Sequence, residues 1–322
     1  GIAVRVNVAA NSQNVNSLTV NLPKVTQERI IDNKVQTFAL ALERPDITLS
    51  LSLASVQEIN RQANADVQLT ATRLTESTSL SGEARAVVGG RPLFQLTATY
   101  KGGARTITDF GNGSVTIEIP YKLQPGESAG GLYLVYIDGL GKPQFLTNSS
   151  YDREAEVLRG STTHFSLYAV GYKAPDAFSD IANHWAKEDI EFVAARGLMA
   201  GVGNGKFNPD GTMTRAMFVT ALGRLAGIDP AGYKSGTFTD VKADAYYAPY
   251  VEWAQKTGVV KGIGGGLFAT DRNVTRQEMA VIMANYAKAM GYKVPVNREA
   301  LVFSDHAGIA SWAADAVQAM QQ

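Results

Sequence analysis

The sequence predicts a multi-domain chain, an N-terminal all-β sandwich followed by α-helical repeats built as helix–loop–helix units. Three observations carry this. Residues 1–172 alternate apolar and polar side chains at period two between glycine-rich turns. Beyond residue 178 the apolar spacing becomes that of an amphipathic helix. A block of this second half then recurs at a constant offset of 61 residues (258 − 197), without a gap.

The first 40 residues are strand-rich and read as the end of a preceding domain. An antiparallel sandwich is expected over 41–172. Residues 47–53 and 67–74 alternate strictly, and 93–100, 114–119, 132–137 and 166–170 follow the same rule. Tight turns separate them at Gly89 with Gly90, Gly102 with Gly103, Gly111 with Gly113, Pro125 with Gly126, and Asp138 with Gly139. Residues 54–63 lack Gly and Pro and suit a short helix, and at most one or two helices are expected before residue 172. The composition then shifts at Lys173, Ala174, Pro175 and Asp176, a plausible hinge.

Three repeats follow, at 178–237, 238–302 and a truncated 303–322. Phe178-Ser179-Asp180 returns as Phe238-Thr239-Asp240 and as Phe303-Ser304-Asp305. In the first helix of each full copy, Ala186, Ile190 and Val193, or Tyr247, Val251 and Ala254, form one apolar stripe. Gly197 and Gly258 suit its left-handed C-terminus. A glycine-rich loop leads to a second helix opened by Thr214 or Thr275. Thr275 with Glu278 makes a complete capping box, whereas Met217 leaves the first copy with half of one. Units this small depend on their neighbours to bury their faces.

These ordered motifs resemble the S-layer homology family: the Phe-x-Asp opening, Trp185-Ala186 on the first helix, the Gly197 to Gly201 turn, Gly205-Lys206-Phe207-Asn208-Pro209, and Thr214-Arg215-Ala216. The match runs from Phe178 to the C-terminus. The resemblance implies a pseudo-threefold bundle whose grooves bind secondary cell-wall polysaccharide, often pyruvylated. It implies an extracellular place at the bacterial cell surface, and a structural role with self-association in a surface lattice. Carried over by position, the carbohydrate-binding residues are Arg215 and Arg276, with Asp180, Asp240, Trp185, Gly201 and Gly262. The arginine fork matches a pyruvate carboxylate, the glycines let backbone N–H groups approach the sugar, and Trp185 and Trp312 offer an apolar platform. The bland reading of the two arginines is a first-turn residue paired with a nearby Asp. The second copy departs from the pattern with Tyr246-Tyr247 and with Leu267-Phe268-Ala269-Thr270. The third stops at Gln322 inside its first helix, so a three-groove bundle is not expected from this chain alone. Segments around Asp109, residues 115–120 and 132–138, and Thr163-His164-Phe165-Ser166 are similar to ZU5-type spacer sandwiches.

Composition excludes several classes. Thirty basic and thirty acidic residues lack the positive excess of a nucleic-acid binder. No apolar run approaches the roughly 18 residues that span a bilayer. The absence of cysteine removes disulfides and thiolate chemistry. The start at Gly1, without Met or a signal segment, reads as a processed or trimmed product.

His164-Phe165-Ser166 matches a self-cleaving tripeptide in which His164 acts as base and the Ser166 hydroxyl attacks the Phe165 carbonyl. That chemistry needs a strained peptide. Otherwise the segment is a closing strand beside a surface histidine. The glycine loops at 201–206 and 262–267 follow helices and lack Gly-Lys-Ser/Thr, so they are not phosphate loops. The three histidines show no metal spacing, Asp152, Glu154 and Glu156 read as one solvated face, and no cofactor or metal is expected. Two functions stay open: a non-enzymatic anchor of a surface-layer protein, or the wall-binding tail of a surface polysaccharide-degrading enzyme with its catalytic domain elsewhere.

Overall fold

The computed structural model describes residues 1–9, 15–75, 80–234, 236–292, 296 and 298–322. The chain runs β1 (Ile2–Val8), β2 (Ser17–Leu22), α1 (Lys24–Asp32), β3 (Val35–Leu42), β4 (Ile47–Ser52), α2 (Leu53–Ala63), β5 (Val67–Leu74) and α3 (Gly82–Val88). It continues through β6 (Leu93–Tyr100), β7 (Arg105–Ile107), β8 (Val115–Pro120), β9 (Leu132–Ile137), β10 (Pro143–Phe145), β11 (Ser150–Asp152), β12 (Val157–Thr162) and β13 (Leu167–Tyr172). Two sheets result, ordered β1-β3-β4-β8-β12-β11 and β10-β9-β13-β6-β5-β2, with β7 beside β6.

The alternating residues explain the layering. Leu40, Leu49, Ile117 and Leu158 of the first sheet share one apolar cluster with Leu69, Phe94, Leu96 and Tyr168 of the second. Val56 and Ile59 of α2 join it. That helix starts where the Ser52 hydroxyl accepts the Ser55 N–H, and it stops at left-handed Asn64. On the second sheet α3 lays Ala84 and Val88 against Tyr133, Val135, Leu167 and Ala169. Strands β9 and β13 are thereby covered on both faces, which is why they read as continuous apolar runs rather than alternating ones.

Three features differ from the sequence reading. The described part of this region holds three α-helices, because α1 and α3 are short and their apolar stripes only one or two residues wide. Residues 1–40 are no separate tail: β1 pairs with β3, β2 pairs with β5, and Leu22, Ile30 and Val35 enter the common cluster. The β1–β3 pair is parallel in an otherwise antiparallel pattern.

The chain divides into two compact units, one of residues 1–177 with 185–195, the other of 178–184 with 196–322. Helix α4 (Lys187–Ala195) therefore groups with the sheets instead of starting a self-contained unit at the 173–176 hinge. It packs on the 3-10 turn Ala129–Gly131, where a Cβ on Gly130 would lie 2.7 Å from the Phe192 nitrogen. An Arg153–Glu188 ion pair at 2.6 Å adds to the contact. The second unit contains α5 (Arg215–Leu225), α6 (Ala248–Lys256), α7 (Arg276–Ala289) and α8 (Ala314–Gln321). Phe218, Val219 and Leu222 of α5, Val251, Trp253 and Ala254 of α6, and Ile282 and Tyr286 of α7 close over Phe238 and Phe268. No described helix is long and apolar enough to cross a membrane.

Candidate functional site

The two full repeats build the same loop from the same parts. The Asp180 carboxylate accepts the Phe207 and Asn208 N–H groups at 3.0 and 2.8 Å. The Asp240 carboxylate accepts those of Phe268 and Ala269 at 2.8 and 2.7 Å. The Phe207 amide holds the Asp180 carboxyl below its usual range. At Asp240 burial pushes upward, but the Phe268 and Ala269 amides outweigh it and the net shift is downward. Both aspartates thus spend their oxygens on the backbone of the loop before the second helix.

The glycines serve packing. A Cβ on Gly201 would meet the Lys206 carbonyl at 2.5 Å and the Phe178 ring at 2.6 Å. On Gly262 it would meet the Leu267 carbonyl at 2.6 Å and the Phe238 ring at 2.7 Å. Each glycine opens a hairpin closed by Val202 N–H to Lys206 O, or Ile263 N–H to Leu267 O. Positive φ angles repeat at Gly203, Asn204, Gly205 and Asn208, and at Gly264, Gly265, Gly266 and Ala269. The space beside Gly201 and Gly262 is occupied by the protein itself.

The second helices begin as the caps require. Thr214 accepts the Met217 N–H, and Thr275 with Glu278 forms the full capping box. Between the repeats, Arg215 N–H donates to Arg272 O and Val274 N–H to Met213 O, beside a Thr214–Asn273 bridge. Ala216 N–H donates to Thr270 O, and Phe218 N–H to Thr214 O. At α5 the Arg215, Ala216 and Met217 amides, which the helix start leaves open, are thus all satisfied. At α7 the Arg276 and Gln277 amides have no such partner among the described residues.

This asymmetry separates the two arginines. Arg215 is 5% exposed and donates to Phe268 O at 3.1 Å, Glu278 at 3.2 Å and Lys261 O at 3.4 Å. Its guanidinium lies over the Phe268 ring, 4.9 Å from the centroid. Burial lowers its pKa, with Glu278 opposing. Arg215 is thus an inter-repeat pin rather than an open fork, and its carboxylate is Glu278, not an Asp. Arg276, at the matching position, is exposed.

Glu278 is the hub that the capping-box signal only half revealed. It accepts from Arg215, from Arg272 and from the amide and hydroxyl of Thr275. Burial raises its pKa, but the Arg272 and Thr275 bonds prevail and bring it down to about 2. The pairing with Arg272 carried no motif that could have announced it.

The aromatic residues face outward: Trp185 is 88% exposed, and Tyr246 and Trp312 are exposed as well. In the sheet unit, His164 Nδ1 lies 3.2 Å from the Thr162 hydroxyl, and its ring meets Tyr136 edge-on. Burial lowers the His164 pKa, with Asp109 opposing. No hydrogen bond joins His164 to Ser166 among the described residues, and residues 162–167 have neither positive φ nor a cis bond. Among the described residues no group of His, Cys, Asp or Glu could hold a metal ion.

Residues 177–217 and 237–280 match the S-layer homology domain. The chain is 36% identical over 167 residues to an amylopullulanase of Thermoanaerobacterium thermosulfurigenes, covering 52% of this chain and 9% of that protein. It is 36% identical over 141 residues to exoglucanase XynX of Acetivibrio thermocellus, covering 44% of this chain and 13% of the relative. It is 28% identical over 129 residues to the surface-layer 125 kDa protein of Lysinibacillus sphaericus, covering 40% of this chain and 10% of the relative. The chain spans about a tenth of the length of these relatives.

Proposed function

We infer, from the S-layer homology domains at 177–217 and 237–280, that this chain is the non-catalytic anchoring part of a bacterial surface protein, held non-covalently on secondary cell-wall polysaccharide. Those domains and the surface-layer relatives indicate a cell-surface or cell-wall location. The observation that carries the reading is the repeat pair itself: two matched segments with the same Asp-stapled, glycine-packed loop. The sheet-rich unit acts as a spacer.

The glycan is a pyruvylated polymer, and the arginine that meets it is Arg276. In support, Arg276 is exposed beside two amides that have no partner among the described residues, whereas the protein already occupies Arg215. A guanidinium can bond both oxygens of a pyruvate carboxylate while the amides share the charge. Exposed Trp185, Tyr246 and Trp312 offer apolar faces to sugar rings. The protein is expected to co-sediment with purified sacculi and to lose binding once the secondary polymer is extracted. Arg276→Lys should weaken binding to the pyruvylated polymer about 5- to 30-fold, on the order of 1–2 kcal/mol for a lost charged hydrogen bond. Unchanged binding after extraction would overturn the glycan reading, and unchanged binding in Arg276→Lys would remove that residue from it.

A second reading places the same anchor at the tail of a polysaccharide-degrading surface enzyme. The amylopullulanase and exoglucanase relatives favour it, since in each the similarity covers only a small part of a longer protein. The length of the natural gene product distinguishes the two.

A further inference from the structure

Among the described residues the two sheets end in β1, β11, β10 and β2, the three-residue β7 adds a short edge on β6, and β1 is built unlike the others. Edges are normally guarded against pairing by brevity, proline or charge. Strands β10 and β11 have three residues each and carry Pro143 and Asp152. Strand β2, six residues long, carries neither proline nor charge, but its apolar Leu18 and Val20 pack against the core. Strand β1 runs seven residues without proline and with one charge, Arg5, and among the described residues it pairs only with β3.

Its side chains fit the same picture. Val4 and Val6 lie opposite Phe38 and Leu40, and so continue the apolar face of the core. Beyond the core that face is bare: Ile2, Val4 and Val6 are 56%, 37% and 39% exposed. The opposite face carries Ala3, Arg5 and Asn7.

We propose that β1 is a self-association edge, taken by β1 of a second copy of this chain in antiparallel pairing about Val4. The residue order selects this partner and this register. With Val4 opposite Val4, Ile2 faces Val6 at both ends and Arg5 faces the small Ala3. Centring on Arg5 would oppose two like charges, and centring on Ala3 or Val6 would leave Val6 or Ile2 without a partner. The contact is two-fold and closed, as one patch meeting itself must be. It joins the main chains of two sheets, a mode in which backbone hydrogen bonds give affinity and alternate side chains give specificity. The inference rests on the sheet unit alone and is independent of glycan binding.

Sedimentation of the 322-residue chain over a concentration series is expected to show a monomer–dimer equilibrium that Val4→Lys abolishes, with an unchanged circular dichroism spectrum. Because the chain has no cysteine, a single introduced one reports the register. Val4→Cys places two Cβ atoms about 5 Å apart across the pair and should oxidise to a covalent dimer. Ile2→Cys leaves its own copies roughly 13 Å apart and should not. A chain that stays monomeric throughout, or a dimer indifferent to Val4→Lys, overturns the proposal. So does equal cross-linking of the Ile2→Cys and Val4→Cys variants.

Discussion

Glu278 concentrates more of the helical unit's polar bonding than any other side chain described above, and removal of its carboxylate exposes that dependence. Glu278→Ala takes away the return half of the capping box and leaves buried Arg215 without its counter-charge. The expected cost is about 2–4 kcal/mol, combining a lost cap with a broken, largely buried ion pair, and urea unfolding measures it. The same residue sets an acid limit. Its carboxyl is held at about 2 instead of 4.5, so the stability it contributes is complete above pH 4.5 and drains away as pH falls toward 2. Glu278→Gln should flatten that part of the stability–pH curve, and an unchanged acid limb would exclude Glu278 as its source. Ala269 offers the opposite test. It holds φ at 65°, a left-handed conformation costly for alanine, where the first repeat has Asn208 at 63°. Ala269→Gly should relieve the strain and gain about 0.5–1 kcal/mol, read from the same unfolding curves.

The loops of the two repeats rest on one packing rule, which equal substitutions can probe. Gly201→Ala and Gly262→Ala each force a methyl group between a phenylalanine ring and a carbonyl. Each should cost about 1–3 kcal/mol, and amide exchange should quicken at Phe207 and Asn208 in one variant and at Phe268 and Ala269 in the other. If only one loop responded, the two would not be equivalent. These loops also mark the limit of what sequence reveals. The offset of 61 residues, the threonine caps and the alternation of β4, β5, β6 and β8 were all legible, since each depends on spacing along the chain. Helices α1 and α3 were not, because seven to nine residues with one or two buried positions give too little periodicity. Nor could spacing foresee that Arg215 and Arg276, identical in motif, differ in burial. That difference comes from Glu278 and the carbonyls of Lys261 and Phe268, which reach Arg215 from far along the chain. Nor does the motif show that Phe178 and Phe238 pack against Gly201 and Gly262.

At the scale of the whole molecule, the two compact units have separate apolar clusters, so heating should melt them in two transitions rather than one. Glu278→Ala is then expected to lower only the transition of the helical unit, and calorimetry showing both lowered together would argue for a single cooperative block. The pin at Arg215 has a further consequence, in time. The start of α5 is completed by Phe268, Thr270, Arg272 and Glu278, the last of them 63 residues downstream. A chain that emerges N-terminus first, from a ribosome or through a secretion pore, therefore presents α5 with its Arg215 and Ala216 amides unanswered until residue 272 has cleared the exit, and its guanidinium without a counter-charge until residue 278 has. The loop fastened by Asp180 is complete soon after Asn208 appears. The first repeat thus settles in two stages, and the slower one is clocked by delivery of the second.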